Sequence, residues 1–329
     1  LKKVLFIGDE ESTFCMNDEK ILSTQYDVDP LHISGVGRKM LIRLPFSIFN
    51  RLRKADLVYI WFGSTPAAIA VFMAKVLGKP SVIVAGGYDV ANDPNLHYGL
   101  LNKRFLRYVP IFAFNHCDRV LAVSEFTKKE ALQIIRDPNK IEVVPNGIDL
   151  SLFRVINKEG RNAIITVGNV NERTWVVKGF NNFIEVVKKA PDQHFILVGK
   201  VDRGIIKEVP ENLELVGYRT GEDLVAILNR SKFYLQLSYR ESFGVAVIES
   251  MACGCVPVVT NRGGLPEAVG DVGLTVEFGR WDRVIEAVRE TYDGLMGVKA
   301  RERVVQLYGI KTREKKVLKE IGSLLSKGL

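Results

Sequence analysis

The sequence predicts an α/β protein made of two Rossmann-like units and a helical tail. Three observations carry that reading. Short apolar runs alternate with helix-patterned stretches; the alternation closes and restarts near residue 150; and three strands of the second half end in glycine. At 329 residues the chain is too long for one ordinary domain and suits two.

The strands of the first half are residues 3–8 (KVLFIG), 57–62 (LVYIWF), 81–85 (SVIVA), 119–124 (RVLAVS) and 141–144. Residues 66–77 have the alanine content of a crossover helix, and 125–135 read as the helix after the fourth strand. Pro145-Asn146-Gly147 is a turn signal that closes the half. In the second half the strands are 163–167, 195–198, 213–216, 233–237 and 256–260, and the first three end in Gly168, Gly199 and Gly217. Helices are expected at 180–189, 222–229 and 244–252. Residues 283–325 read as helices with basic outer faces, broken near Asp293-Gly294 and Tyr308-Gly309. Short strands joined by helical crossovers imply parallel sheets covered on both faces. The expected domains are 1–150, 151–300 and a tail 301–329 packing back toward the first. Ligands of such sheets sit at the carboxyl ends of the strands, so a cleft between two facing units is the expected site.

Composition narrows the class. Apolar types make up 47% and charged types 26%, which excludes a disordered chain, a collagen-like repeat and a small disulfide scaffold. No apolar run is long enough to span a bilayer, and the five-residue run Val4–Gly8 that ends at Asp9 is too short for the core of a secretion signal. Cys15, Cys117, Cys253 and Cys255 form no CxxC pair and have four scattered histidines for company, so they read as buried thiols of a reducing cytoplasm, with no metal site. Net charge is +8, with 20 basic and 16 acidic residues up to Arg154 and 26 and 22 beyond. An excess spread so evenly, with no basic arm, argues against nucleic acid. One stretch departs from the average. From His32 to Ala55 there are six Lys and Arg, interleaved with large apolar residues, and no acid. It suits an anionic membrane surface, and it equally suits a Rossmann helix with a solvated basic face. Gly35-Val36-Gly37 is only a fragment of a dinucleotide fingerprint, with no strand before it in register.

Chemistry concentrates in residues 238–269 (SYRESFGVAVIESMACGCVPVVTNRGGLPEAV). The strand 233–237 delivers Glu241 to a loop at the sheet edge. Gly244 then opens a helix whose first amides, around Phe243, Gly244 and Val245, are free to hold an anion. Glu249 follows eight residues after Glu241, where a carboxylate could accept the two hydroxyls of a ribose. Two acids eight apart also describe a surface pair beside an ordinary helix start.

The whole stretch resembles the Glu-x7-Glu signature of family-4 glycosyltransferases, retaining enzymes of the GT-B fold. The resemblance continues through Met251-Ala252-Cys253-Gly254, Pro257-Val258-Val259, Gly263-Gly264 and Glu267, and takes in Lys178-Gly179-Phe180 and Val144-Pro145-Asn146-Gly147-Ile148-Asp149. It implies roles. Glu241 would bind sugar hydroxyls of the donor and Glu249 the ribose. The amides at 243–245 would hold diphosphate and sugar. Lys178 would neutralise the leaving diphosphate, in a family that usually needs no metal. The base would rest on backbone near Gly199, Tyr218 and Arg219, and Gly168 would also belong to the donor site. No cofactor is implied, since the nucleotide sugar is a co-substrate.

Three positions depart from the family's pattern. The Arg usual after Gly168 is missing, and Arg173 could reach back in its place or stay solvated. The glycine loop after the first strand reads Gly8-Asp9-Glu10-Glu11, an acceptor-side loop whose acids would bind acceptor hydroxyls or face water. Gly86-Gly87-Tyr88-Asp89 stands where many members have a His, which makes Asp89 a candidate polar group beside the reacting carbon or else a turn-capping residue. His97 could touch acceptor or be solvated, and His116 reads as a helix-end residue. The resemblance therefore implies a retaining, metal-independent transfer from a UDP- or GDP-sugar to a sugar or lipid-linked acceptor. The expected place is the cytoplasm, peripheral at the inner face of the membrane. The alternatives are a GT-B phosphorylase or epimerase, and a non-catalytic sugar-nucleotide-binding subunit.

Overall fold

A computed structural model describes residues 1–33, 38–156, 160–290 and 294–326, with side chains at 38–42 excepted. The Gly35-Val36-Gly37 fragment and Asp293 lie outside the described residues, as do the side chains of Arg38 and Lys39. The chain divides into two compact units, Leu1–Gly147 with Ile310–Leu329, and Ile148–Gly309.

The first unit contains β1 (Lys3–Gly8), α1 (Thr13–Ser23), β2 (Asp27–His32), α2 (Arg38–Leu52), β3 (Leu57–Trp61), α3 (Thr65–Val76), β4 (Ser81–Ala85), α4 (Tyr108–His116), β5 (Arg119–Ala122), α5 (Glu125–Ala131) and β6 (Ile141–Val143). Its sheet is wholly parallel in the order β2-β1-β3-β4-β5-β6. Strands β3 and β4 are buried at every residue, as their unbroken apolar runs require. Strand β2 (DVDPLH) escapes a hydrophobicity reading because it is an edge strand with Leu31 its one buried residue, and Pro30 is tolerated there. Ala67, Ala70 and Ala74 let α3 lie close on the sheet, with Pro66 in its first turn.

The second unit contains β7 (Ala163–Val167), α6 (Glu172–Val177), α7 (Phe180–Lys189), β8 (His194–Val198), β9 (Leu213–Gly217), α8 (Gly221–Arg230), β10 (Ser231–Gln236), α9 (Val245–Ala252), β11 (Val256–Thr260), α10 (Leu265–Val269), β12 (Leu274–Val276), α11 (Trp281–Arg289) and α12 (Gly294–Leu307). Its sheet is again all parallel, in the order β12-β11-β10-β7-β8-β9. Phe180, Phe183 and Val187 of α7 pack with Phe195 and Leu197 of β8 in its core.

The tail begins later than the sequence suggests. Helix α12 runs on to Leu307 against α9, so it stays in the second unit, and the chain returns to the first only at α13 (Ile310–Ser326). There Arg313 is buried and forks onto both oxygens of Asp18 of α1 at 2.6 Å. Tyr59 Oη (2.6 Å) and Trp61 Nε1 (2.9 Å) donate to the same carboxylate, and Arg313 also donates to the carbonyls of Val144 and Pro145. Every charge in that cluster has a partner, which is the condition for burying an ion pair. No described helix is long and apolar enough to cross a membrane.

Candidate functional site

In the second unit the chain leaves β7 toward β8 on one side, while β10 lies on the other side of β7. The carboxyl ends of β7 and β10 therefore flank the point where strand order reverses, the usual place for a ligand in a parallel sheet. Lys178 arrives there from the end of α6 and Glu241 from the loop after β10. Lys178 Nζ donates to Glu241 Oε2 at 2.5 Å. The ammonium side chain stays 39% exposed against 11% for the carboxylate, so it is the more accessible member of the pair.

Two glycines fix this pair. Gly179 has φ +71, and a Cβ on it would lie 1.8 Å from the carbonyl oxygen of Leu237. Gly263 has φ +64, and a Cβ there would lie 1.9 Å from the carbonyl oxygen of Glu241, which also accepts the amide of Gly264 at 2.8 Å. The chain segments carrying Lys178 and Glu241 are thus held by backbone contacts that only glycine allows.

Beneath them runs a buried polar chain that sequence patterning does not reveal. Tyr234 Oη donates to Gln236 Oε1 (2.7 Å), Gln236 Nε2 to Ser238 Oγ (2.8 Å), and Ser238 Oγ to the carbonyl of Lys178 (3.1 Å). Thr260 Oγ1 donates to the carbonyl of Ser238 and Asn182 Nδ2 to that of Leu237. In sequence these are ordinary residues of strands and a helix; polar types at a strand's end are the one signal. Burial, with the nearby charges of Glu241 and Glu249 adding to it, holds the Tyr234 phenol well above its usual pKa.

Gly244 precedes α9, and among the described residues the amides of Phe243, Gly244 and Val245 donate to no protein acceptor. They are open donors at the positive end of a helix. Phe243 is buried edge-on against Tyr308 at 5.2 Å, which steadies this turn. One helical turn further on, Glu249 has no hydrogen bond or ion pair to its carboxylate among the described residues. Its side chain keeps some solvent contact, but the surrounding protein desolvates it and pushes its carboxyl from 4.5 up to about 8.

Gly168 and Gly199 follow β7 and β8 at the same sheet edge, so close that a Cβ on Gly199 would lie 2.1 Å from the oxygen of Gly168. Tyr218 and Arg219, just beyond β9, are exposed, with Lys200 Nζ 5.9 Å above the Tyr218 ring. Arg173 is exposed in the first turn of α6, whose start is closed by a reciprocal Asn171–Thr174 cap.

The candidates of the first unit have other surroundings. Asp89 is buried and accepts the amides of Gly63 and Gly87, each at 2.8 Å, while burial raises its pKa. It ties the loop after β3 to the loop after β4, the turn-capping role that the sequence also allowed. Gly8 ends β1 against the ring of Phe6. Of the acids after it, Asp9 caps its own turn through Glu11 N and Ser12 Oγ, Glu10 lies 3.3 Å from His32, and Glu11 is exposed. His97 is exposed, at φ +48, in a turn closed by mutual Asp93–Tyr98 hydrogen bonds. His116 ends α4, exposed, with Nδ1 2.9 Å from the carbonyl of Phe112. All four cysteines are free and buried. Among the described residues no three His, Cys, Asp or Glu side chains gather as a metal site would require.

Comparison with known proteins gives consistent matches in both halves. Residues 14–152 match the profile of Glycosyltransferase Family 4, and residues 150–306 that of Glycosyl transferases group 1. The chain is 28% identical over 281 residues to N-acetyl-alpha-D-glucosaminyl L-malate synthase of Bacillus anthracis, covering 77% of this chain and 71% of that one. It is 23% identical over 272 residues to the GDP-mannose-dependent monoacylated alpha-(1-6)-phosphatidylinositol monomannoside mannosyltransferase of Corynebacterium glutamicum, covering 74% and 69%. The matches span between about four tenths and seven tenths of the length of such curated relatives. Among solved structures, Anabaena HepE in complex with UDP-glucose superposes with a TM-score of 0.80 at 16% identity, covering 98% of this chain and all of that one. The two parallel six-stranded sheets and the C-terminal helices are those of the GT-B fold.

Proposed function

The chain belongs to the GT-B glycosyltransferases of family 4, its two halves matching the group's two profiles in turn, and on that premise we propose that it moves a sugar from a nucleoside-diphosphate sugar to a hydroxyl acceptor with retention of configuration. The observation that carries this reading is the Lys178–Glu241 pair at the β7/β10 switch point, beside the amides of 243–245 and the carboxylate of Glu249, which have no protein partner among the described residues. In this reading Glu249 accepts the ribose hydroxyls and Glu241 those of the donor sugar. The amides of Phe243, Gly244 and Val245 hold the diphosphate, with Lys178 as its counter-charge. The base rests between Gly168, Gly199 and the Tyr218-Arg219 loop, while Gly8 and His97 belong to the acceptor side. Arg173, exposed in the first turn of α6 ahead of Lys178, would be a further cation toward the phosphates.

The bond from the anomeric carbon to the phosphate oxygen breaks as the acceptor oxygen bonds to the same face of that carbon. The acceptor's proton passes to the departing phosphate oxygen. Negative charge grows on the diphosphate, where a fixed ammonium and helix-end amides stabilise it without reorganising, an effect worth about 3–4 kcal/mol per well-placed donor. Because these groups supply the positive charge, the reading needs no metal and no cofactor. UDP is the first nucleotide to test, since HepE was solved in complex with UDP and with UDP-glucose. A lipid-linked acceptor fits relatives named for phosphatidylinositol and the basic stretch from His32 to Ala55, and would place the protein at the inner face of the membrane. The family matches do not favour a phosphorylase, an epimerase or a binding-only subunit.

The test is a thermal-shift panel of UDP, GDP, ADP and their sugar conjugates with chelator present, run beside Glu249→Ala. Ligand at a hundred times its Kd stabilises by about 2.7 kcal/mol, a shift of several degrees. One base is expected to stand out and to lose its effect in the variant. A flat panel overturns the proposal.

A further inference from the structure

Charge is distributed unevenly in the first unit. Between Pro30 and Cys117 the sequence has eleven Lys and Arg against three acids, Asp56, Asp89 and Asp93. None of the three lies on a helix. Asp89 is buried on main-chain amides, Asp56 accepts the amide of Lys3, and Asp93 accepts that of Leu96. Helices α2, α3 and α4 therefore carry no carboxylate of their own, although Arg51 of α2 is paired with Asp29 of the edge strand β2.

These helices also share one side of the sheet. Strands β2, β1, β3, β4 and β5 lie side by side in that order, all parallel, so the right-handed crossovers β2→β3, β3→β4 and β4→β5, which all run in one direction, bring α2, α3 and α4 to the same face. Their inner sides meet in one core through Leu44, Ile48, Ala70, Ala74 and Phe114, with α3 packed between the other two. Their outer sides are where exposure is unusual. Phe46 on α2, Phe72 and Val76 on α3 and Tyr108 on α4 are each more than half exposed. Leading into α4 and including its first residue, all six residues of 103–108 (KRFLRY) are exposed, Phe105 at 75%. Arg104 lies 5.4 Å over the Phe105 ring and Arg53 5.8 Å over that of Phe49, so cations and rings are interleaved in space as well as in sequence.

Large apolar side chains standing singly among cations on the outside of helices do not make a groove for a peptide. They suit a bilayer surface, where the rings enter the headgroup boundary and the cations meet lipid phosphates. We infer that the outer face of α2, α3 and the 103–108 segment is a docking surface for anionic lipid. The surface extends well beyond the basic stretch 32–55, and its most exposed part is 103–108. It bears on the transferase reading only through the lipid-borne acceptor.

Co-sedimentation of the full chain, without nucleotide, with phosphatidylcholine vesicles and with phosphatidylcholine–phosphatidylglycerol vesicles tests this. The variants are Lys103→Ser/Arg104→Ser/Arg107→Ser and Phe105→Ser/Leu106→Ser, all at exposed positions. A charge-matched control, Lys315→Ser/Lys316→Ser/Lys319→Ser, changes lysines of α13. Each cation near an anionic surface is worth roughly fivefold in partition, so the first variant is expected to bind anionic vesicles roughly a hundredfold more weakly. The apolar variant is expected to bind weakly too, and the control to lose much less. Equal losses in control and triple variant would mean that net charge alone drives binding, and would overturn the inference. Absence of vesicle binding by the unaltered chain would do the same. Neither result touches the nucleotide panel, so the two readings fail separately.

Discussion

At the scale of single residues, Glu249 is the most informative group. Its raised carboxyl is protonated in the folded, unliganded unit up to about pH 8 but ionises near 4.5 once unfolded. Its contribution to stability is therefore full below pH 4.5 and is lost as pH rises through 8. A melting temperature that falls over that window in the wild type, and falls less in Glu249→Gln, is the expected result. Ribose hydroxyls donate best to the ionised carboxylate, so nucleotide binding should expel a proton. Affinity should then climb with pH, by up to about tenfold per unit below 8. Calorimetry in two buffers of different ionisation enthalpy reads that proton directly, and its absence would remove the ribose role from Glu249. Asp89 shows the opposite use of a buried carboxylate. Its two amide partners fix loops, and no hydroxyl ligand is needed to explain its burial.

At the scale of elements, the site depends on where segments stop. Helix α6 ends at Lys178 because Gly179 turns left-handed against the end of β10, and Ser238 bonds back to the Lys178 carbonyl. Gly179→Ala would force a Cβ into a backbone oxygen and shift the ammonium from its place. Displacements of about 1 Å in a catalytic group can cost roughly a hundredfold in rate, so turnover is expected to fall by about that factor. Nucleotide-induced stabilisation by the amides of α9 should largely survive. Loss of both to the same degree, by kinetics and thermal shift on one preparation, would show that Gly179 supports the fold and not Lys178 alone.

At the scale of the molecule, the chain's last helix belongs to its first unit. Helix α13 packs on α1, and Arg313 is a main partner of the buried Asp18. Truncation after Gly309 would leave that carboxylate buried without its guanidinium, a loss of the kind that costs about 3–5 kcal/mol, together with the apolar contacts of Val317 and Ile321. The first unit is expected to unfold and the second to persist, still protected by nucleotide. Limited proteolysis with and without UDP checks this by showing whether a fragment from about Ile148 onward survives.

Much of this was legible in the residues themselves. Runs such as LVYIWF and SVIVA announce buried strands because four to six consecutive apolar residues, rich in β-branched and aromatic types and bounded by turn signals, are too few for a helix. The Glu241–Glu249 spacing and Gly244 are local, so the loop after β10 and the open start of α9 could be placed from sequence. The strand β2 and the tail boundary were not legible. An edge strand needs little hydrophobicity, and a helix such as α12 joins one unit or another through partners far away in the chain. The same holds for the pairing of Lys178 with Glu241, for the Tyr234–Gln236–Ser238 chain beneath it, and for the common face on which right-handed crossovers set α2, α3 and α4. Periodicity and spacing record what each segment buries within itself. Which segments meet depends on strand order and chain crossing, and only the tertiary structure decided that.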